Sequence, residues 1–174
     1  MIFHVLLNHR HTITFLSNAD RFFDLNNHRF IFVKDNTQGY DWTRDILGIS
    51  SKIQFTTAMR VSEGDCIVLH SLFFNPKILK EIFSLRTKAK IRIVWSSWGA
   101  DFLSQMAKPF SPVFANVDCL IVNRSAFQNY EFPDALIVDN DTKFYLDSVN
   151  YVSQNEKKDS VLVGNSGDPS NNHF

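Results

Sequence analysis

The hydrophobic positions of the chain form short continuous runs separated by stretches with helical periodicity. The runs are IFHVLL (2–7), RFIFV (29–33), CIVLH (66–70), IRIVW (91–95), CLIVN (119–123) and ALIV (135–138). Continuous rather than alternating apolarity is typical of strands that are covered on both faces. Each run is therefore predicted to be a strand of a buried sheet.

The stretches between the runs contain helical patterns. Ile13, Leu16 and Phe23 can share one helix face, and Pro76 fits the first position of another helix. The apolar stripe of that second helix consists of Ile78, Leu79, Ile82, Phe83 and Leu85. Alternating strands and helices predict an open parallel α/β sheet with right-handed crossovers, whose strand order reverses near the first strand. Residues 34–64, interrupted by three glycines, give no clear element.

Composition narrows the possible partners and compartments. The 174 residues suffice for one domain, and 18 basic against 18 acidic residues give no net charge to attract nucleic acid. Cys66 and Cys119 lie inside apolar runs with no CxxC motif, so we expect buried reduced thiols and no structural metal. No apolar run is long enough to span a bilayer, which predicts a soluble, cytoplasmic protein with at most peripheral membrane contact.

The C-terminal region has a different composition from the rest. Residues 140–159 are polar and resemble an interdomain linker, and SVLVGNSGDPSNNHF (160–174) then begins a new strand-loop-helix unit. Its loop is predicted to direct backbone amides at a phosphate, and it consists of Gly164, Asn165, Ser166, Gly167 and Asp168. We therefore expect a domain over residues 1–139, a linker, and the first strand and loop of a second domain, unless the tail is merely decorative.

Polar and aromatic residues follow the predicted strands, where parallel α/β sheets bind ligands. These residues are Asn8, His9, Arg10, His70, Trp98, Asp101, Asn123 and Arg124. Because the carboxyl ends of parallel strands meet at one edge, we expect Arg10, His70, Asp101 and Asn123 to face a common crevice.

Each candidate has a functional and a structural interpretation. Asp101 is either a general base for an acceptor hydroxyl or a carboxylate in the first turn of a helix. His70 at a strand end suits proton transfer. Arg10 with His9 forms either an anion site or a solvated loop, and Trp98 is either a sugar-stacking platform or a lid on the core.

Four stretches resemble a known family of enzymes. They are FHVL near the start, FFNPKIL (73–79), WGADF (98–102) and, most specific, VLVGNSGDPSNNH (161–173). On these motifs the chain resembles the bacterial TDP-4-acetamido-4,6-dideoxygalactose:lipid II transferases, also called the 4-alpha-L-fucosyltransferase family, of enterobacterial common antigen synthesis.

The resemblance implies a GT-B glycosyltransferase with two Rossmann-like domains, the first binding a lipid-linked saccharide acceptor and the second a TDP- or UDP-sugar donor. The transferred sugar would be a deoxyamino sugar of the 4-acetamido-fucose type, on the inner face of the bacterial inner membrane, without metal or cofactor. Asp101 or His70 would contact the acceptor hydroxyl, and residues 164–168 would lie near the donor diphosphate. The chain would then be the N-terminal portion of a longer enzyme, inactive alone.

A different class of function stays open. An α/β domain of this size can also be a non-catalytic module that binds a phosphate, a saccharide or a partner protein. A second α/β domain following residue 174 in the gene would favour the enzyme.

Overall fold

A computed structural model describes residues 1–34, 40–98, 100–106, 112–122 and 136–139. Its strands are β1 (Ile2–Leu7), β2 (His28–Val33), β3 (Cys66–His70), β4 (Arg92–Ser96), β5 (Cys119–Val122) and β6 (Leu136–Asp139). Its helices are α1 (Arg10–Phe22), a short 3₁₀ helix (Leu25–Asn27), α2 (Thr43–Leu47), α3 (Pro76–Ala89), α4 (Ala100–Met106) and α5 (Pro112–Asn116). None of the described helices combines the length and apolarity needed to cross a bilayer.

The strands form one sheet in the order β2-β1-β3-β4-β5-β6, and every neighbouring pair is parallel. The fold is therefore the predicted Rossmann-like α/β sheet. The chain moves from β1 to one side to form β2 and then crosses to the other side to form β3. The carboxyl ends of β1 and β3 thus flank the point where the strand order reverses, which is where open α/β sheets form a ligand crevice.

Helices cover both faces of the sheet, which explains the continuous apolar strands. On one face, α1 and α2 contribute Phe15, Leu16 and Ile46 to a cluster that includes Leu6 of β1. On the other face, α3, α4 and α5 enclose a second cluster around Trp95 of β4. Adjacent strand residues point to opposite faces, so β1 and β2 supply residues to both clusters.

The predicted elements agree with the structure in most of the described chain. Five strands overlap their predicted runs closely, and β6 begins one residue after the predicted start of ALIV. In residues 34–64, where the sequence predicts no clear element, α2 buries Ile46 and the following segment buries Ile53. The predicted linker (140–159) and the predicted start of a second domain (160–174) lie outside the described residues.

Candidate functional site

The loop after β1 is held in a fixed conformation at the carboxyl edge of the sheet. The Leu7 carbonyl accepts hydrogen bonds from the His9 amide at 2.9 Å and from the buried Thr12 hydroxyl at 2.7 Å. His9 caps α1, because its Nδ1 accepts from the His11 amide at 3.2 Å. These bonds leave His9 and Arg10 exposed at the first turn of α1.

Trp98 and two histidines join the β1 and β4 loops above the intervening β3. The ring centroid of Trp98 lies 5.0 Å from that of His9 and 5.2 Å from that of His11, and the two imidazoles are 4.8 Å apart. We call these three residues the aromatic cluster. It adjoins Arg10, so an aromatic surface and a guanidinium lie side by side at the carboxyl edge.

The imidazoles of the aromatic cluster are neutral at neutral pH. Partial burial, with a contribution from Arg10, lowers the pKa of His9. Burial also lowers the pKa of His11 to about 4, and the neighbouring His9 and Arg10 add to this effect. Because His9 Nδ1 is an acceptor, the neutral ring carries its proton on Nε2 and is a hydrogen-bond donor there. The first turn of α1 therefore presents one positive charge, that of Arg10, and a neutral donor.

Asn8 connects the β1 loop to the start of α2. Its amide donates to Asp41 Oδ1 at 2.9 Å, and its Oδ1 accepts from the Trp42 amide at 2.9 Å. The hydroxyl of Thr43 and the Asn8 amide, both bonded to Asp41, hold the pKa of that carboxyl below its usual range. Asn8 thus positions a second aromatic pair, Tyr40 and Trp42, whose centroids are 4.6 Å apart.

Asp101 is completely buried and organises the loops that follow β3 and β4. Its Oδ2 accepts from the Leu72 amide at 3.0 Å and from Trp95 Nε1 at 2.9 Å. Its Oδ1 accepts from the Ser97 hydroxyl and the Trp98 amide, both at 2.9 Å. A carboxylate has about four lone-pair sites, and these four donors occupy them. Asp101 therefore holds Trp98 in place from the first turn of α4, the position that the structural interpretation gave it.

His70 points away from Asp101. It is the last residue of β3 and is buried, with its ring centroid 3.9 Å from that of Phe15 on α1. Burial lowers its pKa to about 3. The side chain of Asp101 lies on the opposite face, where it bonds Trp95. The structure thus does not bring together the two residues predicted to share a crevice as catalytic groups.

The other predicted site residues divide into two groups. Asn8, His9, Arg10 and Trp98 are brought together at the carboxyl edge, as predicted. The remaining ones lie outside the described residues: Asn123, Arg124, Gly164, Asn165, Ser166, Gly167 and Asp168.

Two aromatic residues at this edge were missed by the sequence analysis. Tyr40 and Trp42 follow β2, and Tyr40 is largely exposed. The signal that finds them is the one used for the other strands, which is to examine the residues after each strand end. The run RFIFV carries the same signal, but the glycine-interrupted segment that follows it predicts no clear element.

The arrangement suits binding of a ring-shaped, anionic ligand, with aromatic faces for stacking and a guanidinium for charge. Within the described part of the chain, no three His, Cys, Asp or Glu side chains are grouped in a way that could hold a metal ion. No protein-family model, no curated protein and no solved structure matches the chain.

Proposed function

We propose that this chain is the acceptor-side domain of a GT-B glycosyltransferase. The enzyme would move a deoxyamino sugar from a TDP- or UDP-linked donor to a lipid-linked saccharide in surface polysaccharide synthesis. The observation that carries the proposal is the aromatic cluster beside Arg10 at the reversal point of the sheet. A saccharide joined to a lipid through phosphate groups offers both things this edge can bind, an apolar ring face and an anion.

The described residues of this site bind and orient the acceptor. Trp98 stacks on the sugar ring, while Arg10 holds an anionic group through its forked donors. His9 Nε2 donates a hydrogen bond to a sugar oxygen, because its Nδ1 is engaged with the His11 amide. Asp101 keeps Trp98 in position from below through the Trp98 amide. The donor phosphates would be met by the loop of residues 164–168, and the acceptor lipid would bring the protein to the membrane surface as a peripheral protein.

Acceptor binding can be measured with a water-soluble mimic, a disaccharide diphosphate carrying a short prenyl chain, titrated by calorimetry into the full chain. We expect saturable binding, and a loss of at least about tenfold in affinity for Trp98→Ala, which removes the stacking surface. Arg10→Ala should weaken the diphosphate ligand but not the same disaccharide without phosphate.

The matched control is Arg21→Ala. Arg21 lies in the last turn of the same helix, above the exposed ring of Phe22. Its replacement by alanine therefore removes an equal charge far from the carboxyl edge. Equal affinities for wild type, Trp98→Ala and Arg21→Ala would contradict the proposal.

One observation favours a non-catalytic binding module as the second candidate. Asp101 and His70, the predicted bases, are both buried and engaged in contacts within the protein. A module would bind the saccharide diphosphate but transfer nothing. Because the chain is expected to be inactive alone, the complete product of its gene is incubated with labelled TDP- and UDP-sugars and the same acceptor. Transferred label rejects the module, and its absence rejects the enzyme.

A further inference from the structure

Three histidines form a continuous hydrogen-bonded chain across the sheet, beneath α1. His28 begins β2, His4 lies in the middle of β1, and His70 ends β3. His4 Nε2 lies 2.8 Å from His28 Nδ1, and His4 Nδ1 lies 3.0 Å from His70 Nε2. We call this set the histidine chain. It differs from a metal site because the nitrogens meet pairwise along a line instead of converging on one point.

The histidine chain can hold a limited number of protons. Each ring-to-ring bond needs one donor and one acceptor, so each bond accommodates one proton. A second proton placed in either ring-to-ring contact would set two N–H groups against each other and break that bond.

Aromatic rings enclose the histidine chain, and two of these rings come from α1 and its C-cap. The His4 ring centroid lies 5.2 Å from Phe15 and 6.0 Å from Phe23, and Phe30 stacks on it at 5.0 Å. His70 lies still closer to Phe15, at 3.9 Å. A charged imidazole in these surroundings loses its hydration. Added charge on these rings therefore opposes the packing of α1 against the sheet.

The charged groups of the neighbouring elements favour neutral rings or are engaged elsewhere. Burial, then His70 and His28, hold the pKa of His4 well below its usual value. Burial also lowers the pKa of His28, the Asp24 carboxylate opposes this, and the N-terminal amine adds to it.

The nearby carboxylates on other elements have their own partners. Asp20 of α1 accepts from the Ser50 hydroxyl at 2.8 Å and lies 3.8 Å from the Lys52 ammonium. Asp65 pairs with the N-terminal amine at 2.7 Å.

The nearby guanidinium groups lie apart from His4 and His70. Arg29 of β2 donates to the backbone carbonyls of Asn26 and His28. Arg21 of α1 lies over Phe22, and Arg10 acts on His9 and His11.

We propose that the histidine chain is an acid-sensitive latch, which holds α1 on the sheet while its rings are neutral and releases α1 when acidification drives protons into it. Release of α1 also frees the loop of residues 8–11, so the candidate site is disassembled in acid. The direction of this pH dependence follows from proton linkage. The closed state keeps His4 and His70 neutral, whereas water-exposed histidines bind protons below about pH 6.5. The open state therefore binds more protons, and closure is lost as pH falls below that value.

Hydrogen exchange of the full chain at pH 7.5 and pH 5.0, corrected for intrinsic rates, tests the latch. We expect α1 amides to open about 30-fold more often at pH 5.0 for each histidine that is exposed to water in the open state. The increase is about 1,000-fold if both His4 and His70 are exposed. Amides of α3 on the opposite face that exchange by local opening, and not by the acid-sensitive global unfolding, should change much less. Equal changes in α1 and α3, or no change in α1, would overturn the proposal.

Two variants separate protonation from simple loosening. His4→Phe removes the centre of the chain and should reduce the pH effect on α1 at least tenfold. Phe15→Leu loosens α1 without changing any titrating group, so it should raise α1 exchange equally at both pH values. If His4→Phe does not fold, ¹⁵N spectra of the wild-type imidazoles decide. His4 and His70 should stay neutral in the closed state at pH 5.0, and their titration near pH 6.5 with α1 still protected would refute the latch.

Discussion

At the scale of single residues, Asp101 links two loops and a helix through one buried carboxylate. Its oxygens accept from backbone amides after β3 and β4, from the Trp95 indole and from the Ser97 hydroxyl. A buried donor that loses its acceptor keeps its desolvation cost, about 1–3 kcal/mol. The position of Trp98 therefore depends on a group that is itself fully buried.

Asp101→Asn should destabilise the fold by about 1–3 kcal/mol. The amide has one acceptor oxygen instead of two, and its NH₂ must face either Leu72 N and Trp95 Nε1 or Ser97 and Trp98 N. The Ser97 hydroxyl can rotate, but at least one N–H group still loses its acceptor. Urea denaturation with an unchanged slope measures the loss.

The control for this change is Asp45→Asn, on the exposed surface of α2, which should alter stability by less than about 0.5 kcal/mol. If the two variants are equally stable, the four hydrogen bonds of Asp101 do not hold the loops.

Sequence patterns predicted which residues lie at the carboxyl edge better than they predicted which way each side chain points. Arg10 and Trp98 are at the edge as predicted, because their positions follow from where strands end. The face that His70 takes depends on single-residue register in a pleated strand, whereas Asp101 lies on α4 and bonds Trp95 on the opposite face. A continuous apolar run such as CIVLH conceals that register, since residues facing either cluster are equally hydrophobic.

At the scale of elements, α3 shows a helix whose two ends are determined by different local rules. Asn75 caps its start by accepting from the Lys77 amide at 3.0 Å, and Pro76 occupies the first helical position. Its end is less favourable, because Lys90 has a left-handed backbone with φ of 49°. Side chains with a Cβ are strained in that conformation, whereas glycine adopts it freely.

Lys90→Gly should therefore stabilise the protein by about 0.5–1 kcal/mol. The change removes an exposed contact with Glu63 at 3.4 Å, which is worth little. Thermal unfolding gives the effect as a higher Tm. The matched control is Lys88→Gly, two residues earlier and inside the helix, which should lower stability by about 1 kcal/mol. If both glycines destabilise, strain at Lys90 is not the reason that this helix end is weak.

Long elements were predictable and a short one was not, for a physical reason. The strand runs and α3 carry enough apolar positions to reveal a period. The five-residue α2 has only Ile46 in the core, and its formation depends on the Asn8 and Asp41 bonds at its start. The Asn8 contacts reach across more than 30 residues of sequence, so no local pattern reports them.

At the scale of the whole molecule, both the sheet order and the position of the site follow from one topological feature. The reversal between β1 and β3 places the ends of both strands beside the loop that carries Arg10. The predicted alternation of strands and helices was sufficient to anticipate this reversal. The histidine chain runs beneath the same helix that begins at the site, so closure of α1 and assembly of the site are one event.

The global stability of the protein should decline in acid in two stages. Folding lowers the pKa of His11 to about 4 and of His70 to about 3, both mainly through burial. These groups are neutral when folded but bind protons below about pH 6.5 when unfolded, so their contribution is complete above that pH and falls below it. Each one raises the unfolding equilibrium constant about tenfold per pH unit between pH 6 and 5.

The second stage involves carboxylates whose pKa values are lowered by hydrogen bonds. The N-terminal amine, then the Ser62 amide, lowers the pKa of Asp65, so its contribution is lost as pH falls below its unfolded value near 3.8. Urea midpoints between pH 8 and 3 should therefore fall first below pH 6.5 and again near pH 4. His11→Gln should reduce the pH dependence of stability in the first stage by about one proton and leave the second stage unchanged. Burial rather than surface charge causes the first stage. Salt at about 0.5 M should therefore not abolish it. A wild-type profile that is flat between pH 7 and 5 would mean that these imidazoles are not held neutral by the fold.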